Sequence, residues 1–269
     1  MDRQTTSPLL IDQAQPLDAL LRKAMAADLA ALADTLTDNG RGRVSLKEET
    51  KKSILLHKRQ QTLHTIAPVL ATEICAFGGN TVANAFRQKK SPAYAVVALD
   101  VAKRIGAKVN KNATVAEIER AIIEKTLLKA LKGGKKEELK ALFKEQQLTV
   151  DHAQISQLLN EGKAEDVLRL LIASCGPYAI SRMVNAAMLP ALNLALKAGL
   201  PALGKVIAGR APTLLNPIAA VLSAAWMTYD LTGPAYRVTI PAVIRIACIR
   251  QADIQQQADT FCMELKQCL

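Results

Sequence analysis

From Pro16 to about Leu36 the apolar residues Leu17, Leu20, Leu21, Ala24, Leu29 and Leu32 recur at three- and four-residue steps, with Asp and Lys between them. That period predicts an amphipathic helix. Asp38-Asn39-Gly40 predicts its end, and Ser45 with Glu48 three residues on reads as a capping box for a second helix. Ile54, Leu55 and Leu63 form the apolar side of that helix, and Pro68 begins or kinks the next turn. At Phe77-Gly78-Gly79-Asn80-Thr81 the glycines predict a tight turn, with Asn80 or Thr81 capping the next helix.

The middle of the chain is punctuated more sharply. Ser91-Pro92 reads as an N-cap followed by a proline at the first helical position, and Gly106 as the C-terminal cap, with Val96, Val97, Leu99, Val101 and Ile105 as core between them. After an extended stretch from Lys108 to Ala113, Thr114-Val115-Ala116-Glu117 is a capping box for a helix that reaches Lys132 and breaks at Gly133-Gly134. Two short amphipathic helices, Lys135 to Gln147 and Asp151 to Asn160, come next, and Gly162 is a stop. The pattern leaves no room for a sheet.

Between Val167 and Arg250 the chain becomes apolar and cationic at once, with Asp230 the lone acidic residue among Arg169, Arg182, Lys197, Lys205, Arg210, Arg237, Arg245 and Arg250. Ala211 to Tyr229 carries no charge, but Pro212, Asn216 and Pro217 interrupt it, which favours a bent or re-entrant hairpin over a spanning helix. Pro241 is expected in the first turn of a final helix running to about Gln257.

Composition turns this pattern into a fold class. Half of the 269 residues are hydrophobic but only 3% are aromatic, so the core is aliphatic and alanine-rich. The expectation is an all-α multi-helix bundle with an apolar, small-residue-rich C-terminal helical hairpin. It divides into an N-terminal helical region (1–90), a central helix–extended–helix region (91–163) and an apolar basic region with a polar last helix (164–269). The net charge of +11 suits anionic partners. The first apolar run, Leu9-Leu10-Ile11, is too short for a signal-peptide core, so a cytoplasmic protein is expected, peripheral at the inner face of the membrane. Cys75, Cys175 and Cys248 read as buried reduced thiols, and Cys262 and Cys268 as exposed ones.

Candidate chemistry is sparse. His57 and His64 lie seven apart, on one face of a helix, with Glu73 nearby, but beyond His152 no further histidine and no paired cysteines complete a metal site. Nucleophile elbows, phosphate-binding loops and dinucleotide fingerprints are absent, and Glu117, Glu119 and Glu124 read as helix surface beside Arg120 and Lys125. No catalytic residue, metal or cofactor is expected. The turn Gly78-Gly79-Asn80-Thr81 could present backbone N–H groups to an anion. Lys103, Arg104, Lys108 and Lys111 cluster around the extended stretch, as in small modules that contact DNA phosphates. Arg237 and Arg245 stand among Val238, Ile240, Val243 and Ile246, where they either snorkel or pair with buried carboxylates such as Asp100.

Two stretches, Phe77-Gly78-Gly79-Asn80-Thr81-Val82-Ala83-Asn84 and the run from Ala235-Tyr236-Arg237 to Ala247-Cys248-Ile249-Arg250, resemble the YaaW-like family of bacterial proteins. Leu99-Asp100-Val101-Ala102-Lys103-Arg104 is similar to that family's central region, and the resemblance spans roughly residues 40 to 251. It implies a shared fold and carries over no catalytic residue. The leading functional expectation is a non-enzymatic protein that binds or perturbs an anionic membrane surface, with contacts at Lys197, Lys205, Arg210, Trp226 and Arg237. The alternatives are a soluble interaction or chaperone-like protein whose apolar hairpin is core or partner interface, and nucleic-acid binding through the central basic segment.

Overall fold

The computed structural model describes residues 13–40, 46–79, 92–145, 148–209 and 236–268, with side chains described as far as Met188 in the helix that ends at Gly209. Among the described residues there is no strand. The all-α expectation holds.

The first amphipathic stretch is two helices, α1 (Leu17–Lys23) and α2 (Ala26–Thr37), because Ala24 and Met25 are both extended between them. Periodicity alone does not show this corner, since the leucines keep their spacing across it. Asp38, Asn39 and Gly40 all take left-handed φ values and end α2 as expected. Helix α3 (Glu48–Arg59) starts after Lys47, whose side chain makes no cap; Ser45, the expected cap, lies outside the described residues. Gln61, at φ 58°, then breaks the chain, so Leu63 and His64 belong to a separate 3-10 turn, Leu63–Ile66, and not to α3. Pro68 sits in the first turn of α4 (Ala67–Gly79).

Helix α5 (Tyr94–Ile105) begins two residues later than expected, because Ala93 is still extended; its end at Gly106, φ 75°, is the expected left-handed cap. Thr114 and Glu117 form the reciprocal capping box of α6 (Val115–Gly133). Helices α7 (Lys136–Glu145) and α8 (His152–Asn160) come next, the latter capped by the Asp151 carboxylate accepting from Ala153 and Gln154 N–H. Long α9 (Ala164–Gly209) carries Gly176 at φ 75° and then Pro177, which supplies no N–H, so its i→i−4 ladder is interrupted there. The last described helix is α10 (Tyr236–Cys268), longer at both ends than expected. Pro241 is therefore inside it, in the second turn, not at its start.

Helix α10 is the axis of the fold. Every residue from Val238 to Gln251 is buried, and the helix packs against α1, α2, α4, α5, α6 and α9. One apolar cluster runs from Leu17 to Ile249 and draws on all three regions of the chain. An axis wrapped on every side must be apolar all round, which is why no amphipathic stripe is readable over 238–251. Helix α10 runs antiparallel to α9, with Cys248 facing Ser181 and Arg245 facing Asn185. This register sets Tyr236 level with about residue 194, so α9 continues for about 15 residues, roughly 22 Å, past the start of its partner.

Candidate functional site

The polar chemistry of the body is concentrated on α10, in two buried clusters. In the first, Arg250 donates from Nε to Glu119 Oε2 at 2.6 Å, with the two side chains 1% and 0% exposed. Tyr94 Oη donates to the other carboxylate oxygen at 2.8 Å. Arg250 Nη1 also reaches the backbone carbonyls of Gln15 (3.1 Å) and Gln13 (3.4 Å), so the segment leading into α1 is held against α10. Gln15 adds a side-chain bond to Asp253, which also accepts from Gln257 at 2.5 Å.

The second cluster joins α2, α9 and α10. Arg245 Nη1 donates to Asp28 Oδ1 at 3.2 Å and to Asn185 Oδ1, while Asn185 Nδ2 donates to the same Asp28 oxygen at 3.2 Å. One turn on, the Cys248 thiol points at the Ser181 carbonyl, 3.4 Å away. Arg245 thus pairs with Asp28, not with the expected Asp100, and Arg250 pairs with Glu119. Glu119, expected on a helix surface, is fully buried, whereas Glu117 is exposed at the cap and Glu124 half-buried.

Burial dominates the electrostatics. It pushes the Glu119 carboxyl up despite the opposing Arg250 charge and Tyr94 hydrogen bond. It pushes the Tyr94 phenol well above its ordinary value, with the neighbouring Glu119 charge adding to the effect. It raises the Cys248 thiol to about 12. A thiol held neutral and packed against a carbonyl is inert, and a carboxylate used up by Arg250 and Tyr94 holds the fold together.

The other expected site residues are not brought together. Lys103, Lys108 and Lys111 are exposed around the α5–α6 connector, but Arg104 turns inward, its guanidinium 5.0 Å from the centre of the Tyr236 ring. Gly78 is inside α4 and not in a turn: a Cβ there would lie 2.4 Å from Val97, so this glycine lets α4 and α5 touch. Gly79 ends the same helix, and Asn80 and Thr81 lie outside the described residues, so the anion-binding turn has no described geometry. Lys197 and Lys205 lie on the span of α9 whose side chains are not described, Arg210 and Trp226 lie outside the described residues, and Arg237 is exposed at the start of α10. The expected Ala211–Tyr229 hairpin is likewise outside them. His57 and His64 are on separate elements; His57 Nδ1 bonds Thr62 Oγ1 at 2.8 Å and His64 is exposed. Among the described residues no group of three His, Cys, Asp or Glu side chains could hold a metal ion.

The chain is 29% identical over 238 residues to the UPF0174 protein YaaW of Escherichia coli strain K12, covering 86% of this chain and 92% of that protein. The chain is YaaW-like. It is also 24% identical over 247 residues to a UPF0174 protein of Helicobacter pylori J99, covering 91% and 95% of the two chains. A further Helicobacter pylori relative, from strain 26695, is 28% identical over 188 residues, 67% of this chain and 86% of its own. No protein-family model and no solved structure matches. The YaaW-like stretch from Tyr236 to Arg250 is the buried part of α10, and its Arg245 and Arg250 are the two structural cations just described. Of the other YaaW-like stretches, Leu99 to Arg104 lies on α5, and Phe77 and Gly78 close α4 against it.

Proposed function

We propose that this YaaW-like chain is a non-catalytic helical platform that binds an anionic membrane surface through the apolar, cationic stretch 189–235. The observation that carries the reading is the overshoot of α9, which continues helically to Gly209 well past the level at which α10 begins. The residues between Met188 and Tyr236 hold Lys197, Lys205 and Arg210 against Asp230 alone, and they include Trp226, a side chain suited to a membrane interface. Cations of this kind near anionic headgroups each contribute about 1 kcal/mol. Arg245 and Arg250 take no part, since Asp28 and Glu119 neutralise them inside the body. Exposed Arg237, at the root of α10, is the described cation closest in sequence to the stretch. The helix Ala164–Met188 is long and apolar enough to cross a bilayer, but Gly176-Pro177 interrupts it, and Asn185 and Ser181 face α10. Surface binding at the cytoplasmic leaflet therefore suits the chain better than spanning. The nucleic-acid reading of the central segment is weaker, because Arg104 is engaged by Tyr236.

Flotation tests the proposal. The full chain should rise with vesicles containing anionic lipid at low salt and less so at high salt, and Lys197→Glu/Lys205→Glu/Arg210→Glu should weaken the association. A chain that stays at the bottom with anionic vesicles at low salt removes the membrane reading and leaves the stretch as core or as the interface for a protein partner.

A further inference from the structure

Cations of the body itself gather at the end where the stretch 189–235 begins. Helix α9 passes the start of α10 at about residue 194, so it leaves the packed body at the end where Tyr236 opens α10. Arg104 brings α5 to that same end. Its guanidinium stands 5.0 Å from the centre of the Tyr236 ring, and its Nε is buried without a hydrogen-bond partner among the described residues. Arg104 is therefore a packing contact, and it fixes the last turn of α5 and the connector beyond Gly106 beside Tyr236. Around it Lys103 projects from α5 and Lys108 and Lys111 from the connector, all three exposed. Half-buried Lys125 of α6 adds a cation, its Cε 3.7 Å from where a Cβ on Gly106 would lie. Of the acidic groups nearby, Asp100 is half-buried one turn before Arg104, and Glu165 is held by Lys132 at 2.9 Å, with Lys108 a weaker influence.

We propose that this basic end of the body, with Lys103, Lys108, Lys111 and Lys125, is a second contact with anionic lipid headgroups, so that the body stands on the membrane by the end from which α9 emerges. The inference rests on membrane binding by 189–235 and adds to it the orientation of the body. Position selects lipid over nucleic acid. A stretch that begins at this end and lies on a headgroup surface carries these lysines toward the same surface, where each gains from the negative potential of the leaflet. The Tyr236 ring, by contrast, is engaged by Arg104 and is not open to stack a base. Lysine side-chain ends make the contact, so the backbone of the connector stays in water.

Flotation of the full chain at physiological salt, with phosphatidylcholine vesicles containing phosphatidylglycerol, tests the orientation. Lys103→Glu/Lys108→Glu/Lys111→Glu should weaken association about tenfold or more. Thermal unfolding should not change, because all three side chains are exposed. Lys52→Glu/Lys144→Glu/Lys266→Glu alters the net charge equally, at exposed sites on α3, α7 and the far end of α10, and should weaken association by about threefold at most. Equal weakening by the two triple variants would mean that the membrane reads net charge and not this end, which overturns the proposal. So does a connector triple that floats like the native chain while Lys197→Glu/Lys205→Glu/Arg210→Glu does not, a result that leaves membrane binding by 189–235 standing. A connector triple that floats normally but no longer binds a DNA duplex would assign the same lysines to nucleic acid instead. A native chain that stays at the bottom removes both membrane contacts.

Discussion

At the scale of single residues, the most consequential one is Glu119, a carboxylate with no exposure whose two oxygens are taken by Tyr94 and Arg250. Replacing Arg250 with Met strands that charge in the core and should cost about 3–5 kcal/mol in urea unfolding. The double variant Glu119→Leu/Arg250→Met should recover most of the loss, because it removes both buried charges together. A double variant as unstable as Arg250→Met alone would show that the pair does more than neutralise itself. Alkali probes the same interior. The Cys248 thiol is raised from 9.0 to about 12 in the folded chain, so the folded state keeps a proton that the unfolded state releases. Its contribution is complete below pH 9 and lost as pH rises toward 12, with Tyr94 adding a loss of the same sign. Cys248→Ala should flatten the fall of stability over this range, and in the native protein Cys262 and Cys268 should react with a thiol reagent long before Cys248. The burial of Cys248 and the exposure of Cys262 and Cys268 are legible in the sequence, but the Glu119–Arg250 pair is not. Glu119 and Arg250 are 131 residues apart, and Glu119 sits among charged neighbours on a helix whose opposite side is solvated.

At the scale of elements, the features readable from sequence are local. Gly106, the Thr114–Glu117 box, Asp151 and Gly162 each act within four residues of themselves, and each stands where the pattern placed it. The Ala24–Met25 corner, the break at Gln61 and the true start of α10 depend on what those segments pack against, which spacing does not encode. Gly78 makes the difference plain. Its glycine signature suggests a turn, but its role is close approach, with Val97 occupying the space of the missing Cβ. Gly78→Ala should therefore push α4 from α5 and cost about 1–3 kcal/mol, with Val97→Ala in the same chain recovering part of it. Within α10, Ile244→Asp sets a carboxylate into a site only 2% exposed and should cost at least about 3 kcal/mol. A small shift in the thermal midpoint for both variants would mean that these faces are not packed.

At the scale of the whole molecule, three regions of different composition close on one helix. Arg245 and Arg250, two of the basic residues that make the third region cationic, are the ties between α10 and the first two regions, and what remains cationic and apolar is the stretch 189–235. The proposed function depends on that division between a packed axis and the stretch 189–235. Hydrogen exchange of the full chain, with and without anionic vesicles, separates the two. Exchange over 238–251 should be slow in both conditions, with vesicle-dependent protection confined to 189–235. Rapid exchange over 238–251 in the free protein, or protection by vesicles spread over the body and absent from 189–235, would contradict it.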